Sequence, residues 1–273
     1  MPDLATLLPL VLLLMAIGAF AGVLAGLLGV GGGIVLVPAF YYTFAGLGYE
    51  SGELMQVCLA TSLATIIVTS ARSVMSHHRK GAVRWDILKT WAPGIVVGAV
   101  IGVLVASSLR SATLQAIFGT LAFSIGLYML FGNAAWRLDN DMPRGPLRAV
   151  LSPLVGFLSV LMGIGGGSFG VPIMTLHGVP IHRAVATAAG FGFIIALPSV
   201  IGFFFVDVAN APPGSLGAVN FPAFLVVIAM TLITAPLGAR LAHALDPKPL
   251  KRVFGVFLTL VALNMLRKAL GPF

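Results

Sequence analysis

Apolar runs of about 20 residues recur along the whole chain, the length a helix needs to cross ~30 Å of hydrocarbon. Of 273 residues, 59% are hydrophobic and 9% charged, whereas a soluble domain carries about 25% charged residues. These features define an all-α polytopic integral membrane protein. The net charge of +8 does not point to nucleic acid. Arg and Lys lie mainly between the runs, where they orient membrane proteins and meet anionic headgroups. Cys58 is the single cysteine, so no intramolecular disulfide forms. Residues 4 to 21 resemble a signal-peptide core. Asp3 stands where a positive segment belongs, however, and the run reads as a retained membrane segment.

Two runs are broken in the same way. "GLLGVGGGIVLVP" at 26–38 and "VLMGIGGGSFGVP" at 160–172 each set a glycine triplet and a proline inside an apolar run. An offset of 134 pairs Gly29 with Gly163, Gly31 to Gly33 with Gly165 to Gly167, and Pro38 with Pro172. An offset of 136 then pairs 81–83 with 217–219, Gly102 with Gly238 and Phe118 with Phe254, while "ATS" at 60–62 meets "ATA" at 186–188. A register sustained over about 100 residues marks an internal duplication. The expected halves are 1–132 and 147–273, joined by a polar linker at 133–146.

Each half is expected to hold a glycine-broken segment followed by three spans. The broken segments are 4–46 and 147–178; the spans are 54–76, 91–109 and 113–132, then 184–206, 220–243 and 250–270. Each half then crosses four times if its broken segment crosses once, and five times if it crosses twice. Five crossings make the two tandem repeats inverted and put thirteen Lys and Arg on one side against Arg110, Arg267 and Lys268. The positive-inside rule favours that inverted arrangement over the ten-to-six split of four crossings. Length is the obstacle, since residues 34–46 rise only ~20 Å as a helix. Small-xxx-small spacing at Gly18/Gly22/Gly26 and Gly94/Gly98/Gly102 predicts close helix packing.

A helix break leaves N–H groups unpaired, and the helix N-terminus carries about half a positive charge. Two breaks meeting at a repeat interface are the arrangement by which secondary carriers hold small anions near the midplane. Gly31, Gly32, Gly33, Gly165, Gly166 and Gly167 are expected to line that site, because a side chain would block close backbone approach. Gly29, Pro38, Gly163 and Pro172 shape the breaks. Thr61, Ser62, Ser168 and Thr187 are the candidate hydroxyls for an oxyanion, and Arg72 the candidate for charge balance. Leucine at Gly32 or Gly166 is expected to abolish transport and leave the protein folded.

All eight acids fall in predicted loops or at termini, whereas cation pumps and proton relays usually put a carboxylate inside the membrane. The substrate is therefore read as a small anion. A proton is the candidate coupling ion, and it would travel through a histidine, the substrate or water. His77 and His78 adjoin Arg79 and Lys80, and His177, His182 and His243 lie near span ends. No spacing resembles a metal site, and neither a cofactor nor a catalytic residue is expected. The lipid bilayer is the constant partner, and a homo-oligomer is compatible with the sequence.

Two motif matches mislead. "GGGSFG" at 165–170 fits the dinucleotide pattern, but no strand precedes it and the next acid is Asp207. "GGSFG" at 166–170 fits the nucleophile elbow, and an intramembrane serine hydrolase at Ser168 is the alternative from another class. The first copy carries Ile34 there, so the pattern belongs to the break.

The twin stretches "GVLAGLLGVGGGIVLVPAF" and "GFLSVLMGIGGGSFGVPIM", the "ATS" and "ATA" sites and "GAVRWD" resemble the TauE/SafE family of sulfite exporters and related permeases over essentially the whole chain. The resemblance implies a multi-pass transporter of sulfur-containing oxyanions or organosulfonates, such as sulfite or sulfoacetate, in a bacterial-type inner membrane. Organic carboxylates are the alternative cargo. Its motif falls on Gly29, Gly31 to Gly33, Pro38, Ala60 to Ser62, Gly163, Gly165 to Gly167, Pro172, Ala186 and Thr187. Ala188 stands where the first copy has Ser62, which breaks the symmetry of the hydroxyls.

Overall fold

The computed structural model describes residues 4–28, 32–132, 136–244 and 247–271. Among them are ten helices: α1 (Leu4–Leu28), α2 (Gly33–Gly46), α3 (Leu54–Arg79), α4 (Trp85–Ser108), α5 (Ser111–Phe131), α6 (Gly145–Leu161), α7 (Gly167–Leu176), α8 (Ile181–Phe203), α9 (Phe221–Ala244) and α10 (Pro247–Leu270). Six helices are long and apolar enough to cross a membrane, namely α3, α4, α5, α8, α9 and α10. The expected interruptions separate α1 from α2 and α6 from α7. Gly163 adopts φ +61°, a conformation glycine enters without steric cost. The Gly163 N–H bonds to Val160 O, and the Ile164 N–H bonds to Ser159 O, so α6 closes in a Schellman turn.

Loops gather at two ends. At the upper end the Ser111 N–H bonds to Gly52 O and the Ala209 N–H to Glu53 Oε2, which unites 47–53, 109–111 and 204–220. A two-stranded hairpin, β1 (Ser215–Leu216) and β2 (Val219–Asn220), also lies there. At the lower end the Leu138 and Asp139 N–H groups bond to Leu176 O, and the Arg84 N–H bonds to Thr187 Oγ1.

The broken segments double back. Residues 143–148 at the start of α6 and 177–179 beyond α7 line one lower-end cavity, so the α6–α7 pair enters and leaves at the same end. On α1, Gly18 faces Val227 and Gly22 faces Thr231, while Gly238 faces Val23. That ascending register makes α1 parallel to α9, and both run downward from the upper end to which α2 returns. The residue ladder 34–46 therefore does not continue the direction of α1. Among the described residues each half thus holds a broken segment that runs in and back, followed by three long spans.

Packing crosses the two halves of the sequence. α1 lies on α9, and α4 lies on α6, where Gly94 and Gly98 meet Ser152 and Pro153, and Gly102 meets Val160. α3 lies on α8, and α5 on α10. At each interface a glycine sits where a Cβ would strike the neighbouring helix, the close approach that small residues permit in lipid.

Candidate functional site

The two helix breaks meet at the centre. A Cβ on Gly33 would lie 2.6 Å from Gly163 O and 3.0 Å from Ile164 Cα. Around this contact Ile34, Val37, Met162 and Ile164 are buried. Gly165 faces Ile66 and Gly192, and a Cβ on Gly192 would strike Ser70. The breaks are thus clamped between α3 and α8.

What each short helix does with its ends is asymmetric. The last carbonyls of α7 are all occupied: Ile173 O pairs with His177 Nδ1, Met174 O takes the His177 and Val179 N–H groups, Thr175 O takes Gly178, and Leu176 O takes Leu138 and Asp139. α2 closes with Leu47, Gly48 and Tyr49 bonding to Phe44 and Ala45 carbonyls. By contrast, neither Gly32 nor Gly166 supplies a side-chain cap at the N-terminus. The first helical bond of α7 is Gly170 N–H to Gly166 O, so the amides of Gly167, Ser168 and Phe169 precede it without an intrahelical partner. α9 shows the alternative: Asn220 Oδ1 accepts the Ala223 N–H and caps it.

Ser168 completes the picture. Its side chain is 5% exposed, and its Oγ has no hydrogen-bond partner among the described residues. A buried hydroxyl without a partner costs about 1–3 kcal/mol, and this one stands in the first turn of α7 beside amides that have no intrahelical partner. Ser159 Oγ, on the other flank of the second break, is also buried and unpartnered. Sequence reasoning passed over Ser159; the signal was the offset of 134, which pairs it with Ala25. Pro172 leaves Ser168 O without its i+4 donor, as Pro38 does for Ile34 O.

The other predicted residues fall around this centre in different roles. Ser62 Oγ donates to Gly163 O at 2.7 Å, tying α3 to the second break. Thr61 Oγ1 accepts the Asn220 N–H at 3.0 Å, and Thr187 Oγ1 accepts the Arg84 N–H at 3.0 Å while donating to Arg183 O. These two threonines therefore form matching latches, each joining a long helix of one half to the start of a long helix of the other. Arg72 is exposed on α3, roughly 15 Å further along the helix than Ser62 at 1.5 Å per residue. Gly29 and Gly31 lie outside the described residues. Gly32 has Ala21 O 3.3 Å from its would-be Cβ, while Gly166 would strike Phe191 and Gly167 opens α7. The expectation that leucine at Gly166 leaves the fold intact is therefore corrected, since that side chain would wedge α7 off α8. Among the described residues no three His, Cys, Asp or Glu gather as a metal site requires.

Six apolar spans around a buried pair of helix breaks define a multi-pass integral membrane protein of the transporter class. The family model described as "Sulfite exporter TauE/SafE" matches residues 14–265, and the chain belongs to that family. It is 33% identical over 261 residues to a probable membrane transporter protein of Haemophilus influenzae, covering 94% of this chain and 98% of that one. A probable membrane transporter protein of Methanocaldococcus jannaschii is 28% identical over 257 residues, covering 93% and 94%. No solved structure gives a significant match. The protein is a membrane transporter.

Proposed function

We propose that the protein carries a small oxyanion, of the class that includes sulfite and organosulfonates, bound between the N-termini of α2 and α7. One observation carries this reading: the uncapped N-terminus of α2 packs on the second break at Gly163 and Ile164, and just beyond that break α7 opens without a side-chain cap and with the unpartnered Ser168 hydroxyl in its first turn. Each N-terminus offers about half a positive charge, and anions settle at such ends without further cations. The sulfur chemistry rests on the family's description alone.

We also propose that residues 1–132 and 147–273 are inverted homologous repeats. The opposed entry of the two hairpins and the paired latches at Thr61 and Thr187 support this. The lower end, with Arg79, Lys80, Arg84, Arg137, Arg144, Arg148 and Arg183, then faces the cytoplasm by the positive-inside rule. Because α1 lies on α9 and α6 on α4, rocking one sequence half against the other would tear both interfaces. Alternating access is instead assigned to the hairpins moving against the α3–α8 pair.

Flux into proteoliposomes, measured for sulfite, sulfoacetate, acetate and chloride, tests the reading. Wild type is expected to move at least one oxyanion. Ser168→Ala is expected to raise its half-saturation concentration about 10-fold, the loss of one hydrogen bond to a charged group, without lowering the melting temperature. No anion flux under a proton or potential gradient would refute it.

A further inference from the structure

A second charged site lies away from the centre. The lower-end cavity, about 260 Å³, is lined by Arg84, Asp86, Asp141, Arg144, Arg148 and His177 among others. Two of the three guanidinium groups are already engaged. Arg84 Nε and Nη2 reach the two Asp86 carboxylate oxygens at 2.9 and 2.6 Å, and Arg144 stands 3.8 Å from Asp141. Arg148, half-buried at the start of α6, has no ion-pair partner among the described residues. The cavity thus holds one uncompensated positive charge even with His177 neutral. The negative pole of α7, which ends here, is muted because its terminal carbonyls are all bonded.

The cavity also reaches towards the break. Trp91 forms part of its wall and is 1% exposed. It stacks on Phe191 with ring centroids 6.1 Å apart, and Phe191 Cβ abuts Gly166. One aromatic pair therefore separates the cavity from the α7 N-terminus. We propose that this cavity is a vestibule that accepts an oxyanionic group, with Arg148 as its anchor. The group is a sulfonate, phosphate or similar ion, arriving as a free solute or on a lipid headgroup.

The test reads the cavity alone, so it stands whether or not the central site carries an anion. Asn140, exposed at the cavity rim, is replaced by cysteine; the native Cys58 is fully buried and gives no background. Labelling rates are measured in phosphatidylcholine nanodiscs with an anionic sulfonatoethyl and a cationic trimethylammonioethyl methanethiosulfonate. Ser108→Cys, at the upper end, serves as reference. The anionic-to-cationic ratio at Asn140→Cys is expected to exceed the reference on the order of fivefold, as one nearby unit charge in water produces. Arg148→Gln should erase the excess and Arg148→Lys restore it, which separates charge from misfolding. Equal ratios, or an excess that survives Arg148→Gln, would overturn the site. Protection of Asn140→Cys by sulfoacetate identifies a solute, and protection by phosphatidylglycerol in the nanodisc identifies a headgroup. Protection by neither also overturns it.

Discussion

Gly33→Ala probes the contact between the two breaks most directly. The new methyl group would sit 2.6 Å from Gly163 O and 3.0 Å from both Ile164 Cα and Ile66 Cδ1. To reach ordinary van der Waals separation the breaks must part by about 0.8 Å. Gly163 cannot yield freely, because Ser62 holds its carbonyl at 2.7 Å and its backbone is fixed in the left-handed region. Overpacking of this kind costs about 1–3 kcal/mol, which lowers the melting temperature by roughly 3–10 °C in a chain of this size. Parting the helix ends also lengthens one set of N–H contacts to a bound oxyanion, so flux at low substrate should fall about 10-fold. Gly165→Ala is the matched control: its methyl would meet only Ile66 Cγ2 at 3.5 Å and Gly192 Cα at 3.6 Å. That variant should melt within about 0.5 kcal/mol of wild type. Thermal unfolding in detergent and flux in proteoliposomes read both effects. If Gly33→Ala melts and transports like Gly165→Ala, the contact between the breaks is not what requires glycine there, and the reasoning fails.

Thr61→Val and Thr187→Val remove the acceptors of a buried and a part-buried backbone N–H respectively and should each destabilise by about 1–3 kcal/mol. Thermal unfolding should show this while the half-saturation concentration stays unchanged; a changed affinity with unchanged stability would instead place these hydroxyls on the substrate. Gln56→Leu withdraws an Nε2 that serves the carbonyls of Ala106, Ser107 and Leu109. Loss of that cap on α4 should lower stability by about 1–3 kcal/mol, visible as an earlier unfolding midpoint, with hydrogen exchange quickened over 104–111.

The spans were legible because their length is set by the bilayer. The expected 220–243 and 250–270 correspond to Phe221–Ala244 and Pro247–Leu270. The interruptions were legible because glycine triplets and prolines have local consequences. The reversal within each broken segment was harder to read, since charge favoured two crossings and length opposed them; for the first segment it depends on which helix receives Gly18 and Gly22, a partner more than 200 residues away. Thr61 and Thr187 show the same limit. Their pairing was readable from the repeat register, but a threonine in an apolar run looks alike whether its acceptor serves a substrate or a distant amide. Ser168 drew notice in the sequence as one of four candidate hydroxyls near the breaks, and through a misleading motif. Its significance came from what the fold withholds, a partner for its hydroxyl.

The exchange of helices between halves also dictates an order of events at the ribosome. Thr231 Oγ1 reaches Gly18 O across 213 residues, so α1 enters the membrane long before the helix it will rest on exists. Until α9 is made, the face of α1 around Gly18 and Gly22 lacks the helix it will rest on. A chain truncated after α8 would leave that face uncovered, an unfinished surface by which quality control could recognise it.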